Sequence, residues 1–147
     1  MDRIHGRQLL LTTLTDSWQW ADPMLDRFVL FTGADATSAS DTQIASYAQA
    51  SVASGCAYVC CWGPDCERVH NAFDRAAADQ TVFSTWHSAE RLAEAMYFAA
   101  FQTHLDPDEV GGADVAVLFA AQPPWHAQAR ALLGNHDELA REFVGDE

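Results

Sequence analysis

Phe28-Val29-Leu30-Phe31-Thr32, a polar segment of helical period closed by Gly55, and then Cys56-Ala57-Tyr58-Val59-Cys60-Cys61 form the stretch on which the fold turns. Each apolar run is short and nearly continuous, as a strand covered on both faces must be. Between the runs, Ser40 and Gln43 match a capping box, and Ile44, Tyr47, Ala48, Ser51 and Val52 follow the stripe of an amphipathic helix. Gly55 stands where a helix takes its C′ glycine. Strand, helix and strand in that order predict a parallel βαβ unit.

The same alternation continues outward. Gly63-Pro64-Asp65 predicts a helix start, with proline at the first helical position, Asp65 and Glu67 complementing the positive end of the dipole, and Val69, Phe73 and Ala76 as the buried stripe. Thr81-Val82-Phe83-Ser84-Thr85 reads as a third strand, followed by a helix from Ser88 to about His104 with Leu92, Met96 and Ala99 on its apolar side. Asp106 to Gly112 reads as a loop, and Val115-Ala116-Val117-Leu118-Phe119 as the last buried strand. Short helices are expected over 124–133 and 136–144, divided by Gly134. Before residue 28, Leu9-Leu10-Leu11 and Leu14 fit either a strand or a helical turn, and Trp18, Trp20 and Asp22-Pro23 suggest an irregular packed arm.

The expected organisation is one α/β domain over 1–147: an irregular N-terminal arm or extra edge element (1–27), a βαβ core (28–120) and short C-terminal helices (121–147). The expected fold is a three-layer α/β/α sandwich with a mainly parallel sheet of about four to five strands. Over residues 28–120 the alternation resembles the Rossmann-like or flavodoxin-like group of small α/β domains. That resemblance implies a fold and no activity, since the group hosts many unrelated functions. Strand order is not legible at this level.

The chain has 147 residues, 49% of them apolar, enough for a full core without disulfide staples. Its formal charge is −13, with 21 acids against eight bases. Binding to a nucleic-acid backbone rests on lysine and arginine displacing condensed cations, and the arginines here are scattered without a basic run. Nucleic acid and an anionic membrane are therefore poor partners, whereas a basic protein would be steered toward the chain. All eight bases are arginine. Without lysine, a GxxxxGK[ST] phosphate loop and Schiff-base chemistry are both excluded. The four cysteines fall between Cys56 and Cys66, mostly within one apolar run, which is not the spacing of a disulfide framework. The N-terminus lacks a signal-peptide pattern, and the expected compartment is a reducing cytoplasm.

In open parallel sheets, ligands bind beyond the carboxyl ends of the strands. The segments expected there are Gly33-Ala34-Asp35, Trp62-Gly63-Pro64-Asp65-Cys66, Trp86-His87-Ser88 and Gln122-Pro123-Pro124-Trp125-His126. They nominate Asp35, Trp62, Asp65, Trp86, His87, Trp125 and His126 as a binding edge. Cys66 is the candidate nucleophile, because a thiol in the first turn of a helix can be acidified by the dipole. His70 lies one helical turn on and His87 follows a strand, so either is a candidate base. Cys61, Cys66 and His70 form a weak alternative metal set that lacks the compact CxxC pairing. A phosphatase-type loop is not matched: Glu67 stands six residues after Cys61 and Arg68 comes one residue too late. GxGxxG and GxSxG motifs are absent.

No complete catalytic set emerges and no cofactor is indicated. The first functional expectation is therefore a small acidic, non-enzymatic interaction module, regulatory or immunity-like, with a protein partner of basic character. The alternative is a small enzyme or nucleotide-binding domain using the strand-end crevice, with a Cys/His pair. A homodimer is compatible with both.

Overall fold

The computed structural model describes residues 2–4, 7–15, 18, 27–77, 82–87, 91–101 and 116–134. Six strands form one sheet: β1 (Asp2–Ile4), β2 (Arg7–Thr13), β3 (Phe28–Gly33), β4 (Cys56–Trp62), β5 (Phe83–His87) and β6 (Ala116–Ala121). Their order is β1-β2-β6-β3-β4-β5. Five strands run parallel, and the short β1 pairs antiparallel with β2. The helices are α1 (Asp41–Ala53), α2 (Cys66–Ala77), α3 (Leu92–Phe101) and α4 (Pro123–Gly134).

β3 and β6 lie mid-sheet, and every residue of both is buried. Leu30, Val59, Cys61 and Leu118 point to one face, where Ile44, Tyr47 and Val52 of α1 and Val69 and Phe73 of α2 cover them. Val29, Phe31, Cys60, Val117 and Phe119 point to the other, under Leu92 and Met96 of α3 and Ala129 and Leu133 of α4. Two faces buried in this way require the unbroken apolar runs seen in the sequence. The chain steps outward from β3 to β5 with α1 and α2 on one face and returns to β6 with α3 on the other, so these crossovers share one hand. The result is the expected three-layer α/β/α sandwich of Rossmann-like or flavodoxin-like kind.

Local chemistry explains most of the element boundaries. At the start of α1, Ser40 Oγ accepts from Gln43 N at 3.1 Å while Gln43 Oε1 accepts from Ser40 N at 3.0 Å, completing the capping box. Gly55 follows the helix with φ 116°. The start of α2 differs from expectation. Pro64 and Asp65 form a turn, Asp65 adopts φ 62°, and the helix begins at Cys66. The turn is held against the β3–α1 loop, with Ala34 N donating to Trp62 O and Ala36 N to Pro64 O.

β5 lies two residues later than the sequence predicts, so Trp86 and His87 belong to the strand and not to the loop after it. At the N-terminus, Leu9, Leu10 and Leu11 are strand residues, and β2 is an interior strand between β1 and β6. Trp18 packs edge-on against Tyr47, 5.4 Å between centroids. The helix expected over 136–144, the loop at 106–112, Trp20 and Asp22-Pro23 lie outside the described residues. No helix among the described residues is long and apolar enough to cross a membrane.

Candidate functional site

The carboxyl ends of β3 and β6 are neighbours, and the chain leaves them in opposite directions, β3 to α1 on one face and β6 to α4 on the other. This is the topological switch point, where doubly wound sheets bind ligands. Gln122 occupies it. Its backbone N donates to Gly33 O at 2.9 Å, and its side-chain Oε1 accepts from Asp35 N at 2.9 Å.

Anion binding at such a place draws on free N–H groups at helix N-termini. The first two residues of α4 are Pro123 and Pro124, which have no N–H, and Trp125 N and His126 N both donate to Gln122 O. α1 and α2 begin instead with carboxylates: Asp41 in one, Glu67 after Asp65 in the other. At α4 the site thus lacks free N–H donors, and at α1 and α2 the carboxylates oppose an anion.

Asp35, the candidate ligand here, is exposed, but its Oδ1 accepts from Thr37 Oγ1 at 2.6 Å and Thr37 N at 2.9 Å. Those bonds, the hydroxyl first, hold its carboxyl below the usual range. Asp65 faces Arg68, whose Nη1 lies 3.3 Å from Asp65 Oδ2. Arg68 also donates to Ala36 O at 2.6 Å, to Ala39 O at 3.1 Å and to Asp41 Oδ1 at 2.6 Å. Its hydrogen bond to Asp41 lowers that carboxyl. Arg68 therefore clamps the β3–α1 loop to α2 and is not a free cation; sequence reasoning dismissed it as a phosphate ligand and missed this role.

In register across the sheet, Thr13, Ala121, Gly33, Trp62 and His87 form the last row of the α3/α4 face. Trp62 meets Trp125 edge-on at 5.2 Å, and both are half-buried beside the half-buried His126. His87 is buried against Phe98 at 4.8 Å, with Nε2 2.9 Å from Thr85 Oγ1. The expected convergence of three tryptophans is therefore corrected. Trp86 has the opposite parity, so it lies on the α1/α2 face, 4.6 Å from the His70 ring.

Cys66 and His70 have different partners. Cys66 joins the buried stripe with Val69, Ala72 and Phe73, whereas His70 contacts Trp86 and places Nε2 3.4 Å from Asp74 Oδ2. Burial pushes the Cys66 thiol up, and Asp65 and Glu67 push it the same way, opposite to what a nucleophile needs. Cys56, Cys60, Cys61 and Cys66 are all free thiols and all buried. The weak metal alternative is not supported: among the described residues, which include Cys61, Cys66 and His70, no three His, Cys, Asp or Glu side chains come together as ligands.

A second surface lies at the sheet edge. Phe83 is 43% exposed and Trp86 45%, and both belong to β5. Phe83 stacks on Tyr58 of the α3/α4 face at 5.8 Å, so the two exposed rings stand on opposite faces of one edge strand. The sequence places Phe83 in a strand without marking it as exposed; the signal available is that Ser84 and Thr85 break its apolar run.

Fold and site together define a small three-layer α/β/α domain with Gln122 bonded across its switch point and two exposed aromatic rings on its edge strand. The chain belongs to the family described as a domain of unknown function (DUF7684), whose model matches residues 8–136. Comparison with curated proteins and with solved structures gives no match.

Proposed function

We propose that this chain is a non-enzymatic protein-interaction module, regulatory or immunity-like, that docks through the β5 edge and works in a reducing, cytoplasmic setting. The observation that carries the reading is the pair of exposed aromatic rings, Phe83 and Trp86, on the two faces of the terminal strand. Large exposed aromatics at one place mark interaction surfaces. The net charge of −13 supports a basic partner, and four free thiols suit a reducing compartment. The enzymatic or nucleotide-binding alternative has in its favour the switch point and the buried His70 Nδ1, which has no hydrogen-bond partner among the described residues. Its candidate thiol is buried, and its candidate carboxylates are engaged within their own loops.

A photo-crosslinking residue at position 83 or 86, compared with one at the exposed Ala127 or Ala131 of α4, tests the reading in the native host. A protein adduct from the β5 positions and not from α4, weakened by salt, is the expected result. Adducts from position 127 or 131 and none from position 83 or 86 would overturn the assignment to β5.

A further inference from the structure

We propose, building on that reading, that β5 takes an extended, basic segment of a partner protein by strand addition, with one apolar side chain of the segment seated against Phe83 and another against Trp86. The two edges of the sheet are unlike. β1 is only three residues long, a feature that protects an edge. β5 is five residues long, holds no charge, proline or glycine, and pairs with β4 in unbroken register from Tyr58↔Phe83 to Trp62↔His87. Among the described residues no strand pairs with its outer side, and a regular edge of this kind offers main-chain donors and acceptors to an incoming strand.

β5 is also fixed from within. Phe83 rests on Tyr58, and Ser84 Oγ donates to Asp74 Oδ1 at 2.6 Å. Thr85 Oγ1 lies 2.9 Å from His87 Nε2, Trp86 packs on His70, and His87 packs on Phe98. All five side chains are thus held by β4, α2, α3 or β5 itself, and the strand is ordered before a partner arrives, which lowers the entropic cost of binding. Because strand side chains alternate between faces, rings three residues apart lie on opposite sides of the sheet. The incoming segment therefore needs two apolar residues at an odd spacing, one for each ring. Charge selects between occupants. A second copy would bring another −13, whereas basic residues flanking the apolar pair would find the exposed Asp74 beside Ser84.

The test uses the full chain and three synthetic peptides, followed by amide-resolved NMR. The first is acetyl-Arg-Arg-Val-Thr-Thr-Ile-Arg-Arg-amide; the second carries backbone N-methyl groups on one edge; the third has Glu in place of Arg. Strand addition predicts shifts and slowed amide exchange confined to Phe83–His87 and its neighbours with the first peptide. Affinity should fall by about tenfold or more on N-methylation, as loss of one or two hydrogen bonds implies. It should fall similarly in Trp86→Ala and Phe83→Ala, and binding should be lost with acidic flanks. Equal binding of the N-methylated peptide, or no response of β5 to the first peptide at millimolar concentration, overturns the inference. Concentration-dependent protection of β5 without peptide would also overturn it, in favour of a second copy. A protein adduct from position 86 together with a failed peptide series would leave the interaction reading standing and remove strand addition alone.

Discussion

Tyr47 Oη and Thr32 Oγ1 meet at 2.6 Å inside the α1/α2 side of the core, between Trp18 and Phe73, whose rings both stand edge-on to Tyr47. Burial raises the phenol well above its usual value, so it stays neutral and keeps the bond. Tyr47→Phe removes the bond without opening a large void, and the expected cost is about 1–2 kcal/mol in denaturant unfolding. The Tyr47→Phe, Thr32→Val double variant should lose less than the sum of the single variants, since neither orphaned hydroxyl remains. Cys66 gives a second prediction at this scale. Its thiol should react with iodoacetamide at pH 7 more slowly than a free model thiol, and faster labelling would restore it as a nucleophile. The residue types of the candidate site were legible in the sequence; their engagement was not, because the partners of Asp35, Asp65 and His70 depend on loop geometry that spacing does not encode.

The turn between β4 and α2 shows how an element boundary is decided by a neighbour. Gly63 has φ 116°, and a Cβ there would sit 2.1 Å from Ala34 O. Close approach of the two loops therefore dictates glycine at this position, and Asp65, with φ 62°, breaks the helical run so that Pro64 does not open the helix as expected. Gly63→Ala should cost more than about 4 kcal/mol or prevent folding. Gly33→Ala, whose Cβ would meet the Phe31 ring at 3.0 Å, should fold with a lowered melting temperature. Thermal unfolding of both variants checks the contrast. Buried strands β3, β4 and β6 were readable because their apolar runs are continuous, whereas the edge strand β5 was placed two residues early since exposure removes that signal. β2 stayed ambiguous for another reason: its identity rests on pairing with β6, more than a hundred residues away.

Over the whole molecule, burial of the thiols makes stability depend on alkaline pH. Burial raises the Cys56 and Cys61 thiols far above the usual value, while in the unfolded chain they ionise near about 8.5. The unfolded state then binds fewer protons than the folded one, so stability is full below that pH and falls as pH rises. The expected slope above it is up to about 1.4 kcal/mol per pH unit for each thiol. Melting temperatures measured from pH 7 to 10 should show the decline, with a shallower slope in Cys61→Ala. The three-layer architecture was legible from alternation alone, but strand order was not, since it depends on which face each helix covers. That order has a further consequence. With the three-residue β1 at one end of the described sheet and β5 at the other, strand addition as proposed would occupy β5 alone, one partner segment per molecule. On that proposal, raising its concentration would titrate a partner one to one.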